Sequence, residues 1–344
     1  GSGGGNASLS KVGAPAILPE PGGLRTFTIA LENTSSGDMT LDSLSDDVYG
    51  DVADSGNPAI ESTTCALPQT FAAGTTYSCE FVVDYSGDPG SQTDIVRADG
   101  SDPDGAFITY DTATVFITDV LPDVTVTKTA APNPIDEPDD AVTFTIVVEN
   151  LTTEDVLLTS LFDDVRGDLD GVGTCAADGT GVVPGGGTYS CAFTVDIVGD
   201  AGESQTDYVF ATVADDEGNE AFAFATEVVD IVDVLPTMEI TKTPRPATIP
   251  EPGGVVQFRV RVINTSPEPL ELASLVVDVY GDLSGQGSCI LPQTILPGRI
   301  YGCSFNGSVS GDAGDTATDV ITATASDDDG NVIVERATAD VPIV

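Results

Sequence analysis

Thr127-Lys128-Thr129-Ala130-Ala131-Pro132 returns as Thr241-Lys242-Thr243-Pro244-Arg245-Pro246 and, more loosely, as Ser10-Lys11-Val12-Gly13-Ala14-Pro15. Downstream come Pro19-Glu20-Pro21-Gly22-Gly23, Asp136-Glu137-Pro138-Asp139-Asp140 and Pro250-Glu251-Pro252-Gly253-Gly254. An acidic loop follows in each copy: Asp47-Val48-Tyr49-Gly50-Asp51, Asp164-Val165-Arg166-Gly167-Asp168 and Asp278-Val279-Tyr280-Gly281-Asp282. One motif is written three times, and the repeat governs everything else read from the chain.

Each copy reads as strands. In Phe27-Thr28-Ile29-Ala30-Leu31, Phe144-Thr145-Ile146-Val147-Val148 and Phe258-Arg259-Val260-Arg261-Val262, alternate residues turn one apolar face inward. The same alternation runs through Tyr77–Phe81, Tyr189–Phe193 and Tyr301–Phe305. About seven such strands in roughly 110 residues, punctuated by Gly, Pro, Asn and Asp, fit an immunoglobulin-like sandwich. The expected fold is all-β, with three tandem immunoglobulin-like β-sandwich domains strung as beads on a rod. Their bounds are 1–121 (with a Gly-rich segment 1–7), 122–236 and 237–344, set by Asp119-Val120-Leu121-Pro122 and Asp233-Val234-Leu235-Pro236. Joints this short, without a Gly/Ser tract, favour stiffness.

The 344 residues carry 56 Asp plus Glu against 11 Lys plus Arg, a formal net charge of −45. Such a surface repels nucleic acid and anionic lipid, both of which are bound through cationic side chains. It attracts cations, and either divalent metal sites or solubility in salty water accounts for it. Histidine is absent, which removes the commonest general base and transition-metal ligand. No run of about 18 apolar residues is present to span a membrane. Gly1-Ser2-Gly3-Gly4-Gly5 lacks the features of an export signal and reads as a mature N-terminus or an expression remnant.

The six cysteines fall as one local pair per copy, Cys65 and Cys79, Cys175 and Cys191, Cys289 and Cys303. Of the possible connectivities the repeat selects pairing within each copy. A loop of ~15 residues closed this way contributes about 3 kcal/mol. Disulfides place the chain outside a reducing cytosol, extracellular or at a cell surface.

Successive strands of a sandwich reverse direction, so alternate loops share a pole. That counting gathers Glu20, Asp47, Asp51, Asp88 and Asp94 beside Asp119 in the first copy. In the second it gathers Glu137, Asp164, Asp168, Asp200 and Asp207 beside Asp233. The third has Glu251, Asp278, Asp282, Asp312, Asp319 and Asp340. Ca2+ takes six to eight oxygen ligands, and crowded carboxylates without a cation repel. The expected calcium ligands are therefore Glu20, Asp47, Asp51, Asp94, Asp119, Glu137, Asp164, Asp168, Asp207, Asp233, Glu251, Asp278, Asp282 and Asp319. Turn-capping by the same aspartates is the alternative. For the hairpins Asp102-Pro103-Asp104-Gly105, Asp215-Asp216-Glu217-Gly218 and Asp327-Asp328-Asp329-Gly330, at the opposite pole, turn chemistry is the preferred reading.

The Glu-Pro-Gly-Gly turns, the Phe-x-Ile/Val strands ending in Asn33, Asn150 or Asn264, and the Asp-Val-Tyr-Gly-Asp loop resemble tandem Ig-like repeats of large bacterial surface proteins. The turn alone also resembles a Calx-β domain. The resemblance covers nearly the whole chain and implies a stalk, fibre or spacer with calcium stiffening its joints, and no catalysis. The sequons at Asn33, Asn150 and Asn264, placed in what reads as an exposed turn, are candidate glycosylation sites; Asn6 and Asn306 also carry the motif.

The leading function is an extracellular structural rod; a ligand-binding or stalk region of an adhesin is the alternative. Paired carboxylates could serve a glycosidase, but no copy departs from the others as a working site would. Asp340-Val341-Pro342 repeats the joint motif in the third copy. The expected partner is therefore either a second subunit docking head-to-tail into an open filament or the next repeat of a longer array.

Overall fold

In the computed structural model, which describes residues 6–344, every regular element is a strand; the reading of Gly1–Gly5 lies outside the described residues. No helix is long and apolar enough to cross a membrane. The chain forms two compact units, one of Gly1–Thr127, Ile146–Cys191 and Val209–Ala225, the other of Lys128–Thr145, Ala192–Tyr208 and Thr226–Val344.

Within the first unit, one sheet runs Ala7–Ala14, Gly22–Asn33, Thr76–Ser86 and Ser62–Thr63. The other runs Ile17–Pro19, Gly105–Thr118, Gly90–Asp102, Met39–Asp46 and Gly50–Asp51, with Gln69–Phe71 paired to Met39–Asp46. In the second unit the same arrangement returns, with Met238–Arg245, Gly253–Asn264 and Ile300–Ser310 facing a sheet built on Leu270–Val277, Thr316–Ser326 and Val332–Pro342. The inward residues of each pair make the core. Phe27 stacks on Phe81 with ring centroids 5.2 Å apart, and Phe258 on Phe305 at 5.3 Å. Cys65 is bonded to Cys79, Cys175 to Cys191 and Cys289 to Cys303.

Two features of this topology place acidic residues. First, the chain changes sheets after its opening strand, so Ile17–Pro19 lies parallel to Phe116–Thr118 with Pro19 opposite Thr118. The next residues, Glu20 and Asp119, are thereby neighbours. Ile135 and Asp136 pair with Ile231 and Val232 in the same sense, which does the same for Glu137 and Asp233. Second, Gly50 is at φ 75° and folds the short strand Gly50–Asp51 back onto Ser45 and Asp46. Left-handed backbone of this kind favours glycine, which has no Cβ to clash with the following carbonyl.

Candidate metal centres

Glu20, Asp119, Glu154 and Glu217 each bring a carboxylate oxygen within 4.8 Å of the others. Asp88, Asp216 and Glu217 form a second group beside it. A cavity of about 160 Å3 lies here, lined by Glu20, Pro21, Gly87, Asp88, Glu154 and Asp216. Glu20 is only 4% exposed, and neither of its carboxylate oxygens has a hydrogen-bond partner; Oε2 of Glu154 is buried and unpartnered too. Leaving buried acceptors unmatched is costly. Burial first, then Glu20 and Asp216, pushes Glu154 up to about 9. The hydrogen bond to Asp216, then desolvation, raises Glu217 to about 7.

In the second unit Glu137, Asp233 and Asp329 converge in the same way. Glu137 is better satisfied, its Oε1 accepting from Val234 N–H at 2.9 Å and its Oε2 from Ala201 N–H at 2.6 Å. Glu268 stands where Glu154 stands in the other cluster. It is buried, its Oε2 has no partner, and burial followed by Asp328, Glu137, Asp327 and Asp329 pushes it up to about 7. Desolvation and then Asp233 also raise Asp329. The supporting bonds repeat as well: Asn219 Nδ2 donates to Asp119 and Asp215, and Asn331 Nδ2 to Asp233 and Asp327.

The donors at both centres are carboxylates, with no histidine in the chain and every cysteine in a disulfide. Oxygen-only sites suit Ca2+ or Mg2+ rather than zinc or copper. The unmatched buried oxygens fit a bound cation.

Of the fourteen expected ligands, Glu20, Asp119, Glu137 and Asp233 are brought into these clusters. Glu251 is exposed and its Oε2 accepts from Ala313 N–H at 3.2 Å. Asp94, Asp207 and Asp319 must be corrected. All three are buried, and each pairs with one of the chain's three lysines: Asp94 with Lys11, Asp207 with Lys128, Asp319 with Lys242. An ammonium already occupies the place assigned to calcium. Asp47, Asp51, Asp164, Asp168, Asp278 and Asp282 also require correction, because none joins a carboxylate cluster among the described residues. The tight return onto the preceding strand keeps Asp51, Asp168 and Asp282 at local backbone. Asp51 Oδ1 accepts from Ala53 N–H, Asp168 from Asp170 and Asp282 from Ser284, while Asp47 and Asp278 accept from Ile95 and Val320 on the neighbouring strand.

The acidic hairpins divide. Asp215 and Asp327 do serve the turn, accepting from Asn219 and Asn331 N–H, whereas Asp216, Glu217 and Asp329 face the clusters. Glu154 and Glu268 escaped sequence reasoning. Their signal was position: each lies four residues after the strand-ending Asn150 or Asn264, where the first copy has Gly37 after Asn33.

The glycosylation candidates are corrected too. Asn33, Asn150 and Asn264 are buried, not in an exposed turn. Each amide nitrogen donates to two carbonyls: Gly37 and Phe71, Glu154 and Val183, Glu268 and Ile295. Each Oδ1 accepts from the backbone and hydroxyl of the residue two further on, Ser35, Thr152 or Ser266. The sequon is here a turn lock, with its Ser or Thr serving the asparagine.

No family model matches the chain, and no curated protein matches it. Among solved structures, a 1.5-MDa bacterial ice-binding adhesin aligns over 99% of both chains at 15% identity and a TM-score of 0.28. A Ca2+-stabilised adhesin of an Antarctic bacterium aligns over 99% of this chain and 74% of its own, at 15% identity and a TM-score of 0.25. A membrane-anchored protein of Corynebacterium diphtheriae aligns over 98% of this chain and 91% of its own, at 12% identity and a TM-score of 0.25.

Proposed function

We propose that the chain is an extracellular structural segment of three tandem domains, 1–121, 122–236 and 237–344, stiffened by Ca2+ held at the two acidic clusters. The observation carrying this reading is Glu20: buried, unmatched at both oxygens, and set among Asp119, Glu154 and Glu217. A cation neutralises the cluster and supplies the missing partners. Glu20 and Asp119 belong to the first copy of the repeat, Glu154 and Glu217 to the second, so an ion ligated by all four ties consecutive copies together. Glu137, Asp233, Glu268 and Asp329 would do the same between the second and third.

Melting curves with Ca2+ and with excess chelator, at fixed moderate ionic strength, test this. A native-state ligand at a hundredfold its Kd adds about 2.7 kcal/mol per site. Chelation should therefore lower Tm measurably; an unchanged curve would favour acidity as an adaptation to salt.

Glu251 and Asp312 keep in the third copy the positions of Glu20 and Asp88, which supports docking of a further repeat, in the same chain or another subunit. A second copy of this chain would meet that pole with Gly37 in place of Glu154 or Glu268, a cluster one glutamate short. An adhesin role has its own observation. Phe222 and Phe224 are exposed, with Phe210 beside them at centroid distances of 6.4 and 6.2 Å. Loss of adhesion on Phe222→Ser with Tm unchanged would favour that reading.

A further inference from the structure

Lys11 is buried in the first copy's core with its Nζ 4.3 Å from the centre of the Phe27 ring. Nζ is 2.5 Å from Oδ2 of Asp46 and in contact with Oδ1 of Asp94, and all three side chains are fully shielded from solvent. The two carboxylates are not equivalent. Asp46 Oδ1 accepts from Val48 N–H at 3.0 Å and Tyr49 N–H at 3.1 Å, which fixes its carboxylate against the turn. Asp94 has, besides Lys11, only a long 3.5 Å contact from Gln92 Nε2, and desolvation raises it above the ordinary carboxylate range, towards the neutral acid. A nucleophile, an acid and a base thus meet in a dry pocket.

We propose that Lys11 and Asp94 condense into an intramolecular amide, with Asp46 accepting the proton that frees the amine. The ammonium of Lys11 gives a proton to the Asp46 carboxylate. The Nζ lone pair then attacks Cγ of the protonated Asp94 carboxyl, forming the C–N bond. Asp46 relays a proton from nitrogen to the departing hydroxyl, the C–O bond breaks and one water leaves. Asp46 ends protonated, and no oxidant, reductant or co-reactant is required. Fixed proximity supplies the effective concentration. The product removes two buried charges from the core, where charge is expensive.

The third copy is a built-in control. Lys242 contacts Asp319 over Phe258, but Val277 occupies the position of Asp46. Without the second acid this pair stays ionic.

Mass spectrometry of the full, folded chain, reduced only after denaturation and then digested, decides the matter. The expected result is a branched peptide joining residues 11 and 94, lighter by one water, with Lys242 and Asp319 on unlinked peptides. In Asp46→Ala, shown to be folded by circular dichroism and intact disulfides, the 11–94 link should be lost. Recovery of Lys11 wholly on an unmodified linear peptide from wild-type protein would overturn the proposal. A link between 242 and 319, or a link surviving in Asp46→Ala, would overturn the role given to Asp46. None of these outcomes depends on Ca2+.

Discussion

Asn264 Nδ2 donates to Glu268 O at 2.6 Å and to Ile295 O at 2.7 Å inside the core. Asn264→Ala strands both carbonyls and the N–H of Ser266. A loss of about 1–3 kcal/mol per buried group is expected, measured by urea denaturation, and incubation with glycosidases should leave the native protein's mass unchanged. The position was legible. Phe258, Val260, Val262 and Asn264 have the same parity along one strand, so alternation alone turns the asparagine inward. Asp94 shares parity with Val96 and Ala98 in the same manner. Reading these residues by chemical type, as sequon and calcium ligand, concealed what their spacing stated. Lys242 and Asp319 offer a cleaner energetic contrast. Lys242→Met or Asp319→Ala alone leaves a buried partner charge and should cost about 3–5 kcal/mol, whereas Lys242→Met with Asp319→Leu should cost much less.

At the scale of elements, the strand alternation, the Gly turns and the repeat made the sheets readable, and the cysteine spacing made the local pairs readable. Replacing Cys175 and Cys191 by Ala should lower stability by about 3 kcal/mol through the freed loop, with the far-UV circular dichroism of a β protein retained. What escaped was how one strand pairs. Counting reversals gathers every alternate loop at one pole, but only the parallel pairing of Ile17–Pro19 with Phe116–Thr118 makes Glu20 and Asp119 adjacent. The Asp-x-x-x-Asp loop instead folds onto its own strand, as Ser45↔Asp51 and Asp46↔Gly50. Loop-to-pole counting carries no information on such short-range pairing. Glu154 and Glu268 were marked in the sequence only by their place four residues after Asn150 and Asn264, and three-dimensional placement was needed to show what that place faces.

For the whole molecule, the raised carboxyls set a pH dependence whose sign follows from linkage. Glu154 is pushed up to about 9 and Glu268 to about 7, from an ordinary 4.5. The native state holds these protons where the unfolded chain has lost them, so their stabilising contribution is complete below 4.5 and is lost as pH rises through the folded values. In chelator, Tm should fall between about pH 4.5 and 9; saturating Ca2+, by favouring the ionised carboxylates, should flatten that decline. Glu154→Gln should raise Tm in chelator and reduce the gain from Ca2+, because it removes repulsion and a ligand together.

Calorimetric titration of Ca2+ into the chelator-stripped full chain tests the central claim most directly. The expected result is saturable binding of two ions per chain, falling to one in Glu20→Gln and to one in Glu137→Gln. A flat titration, or binding indifferent to both substitutions, would contradict it.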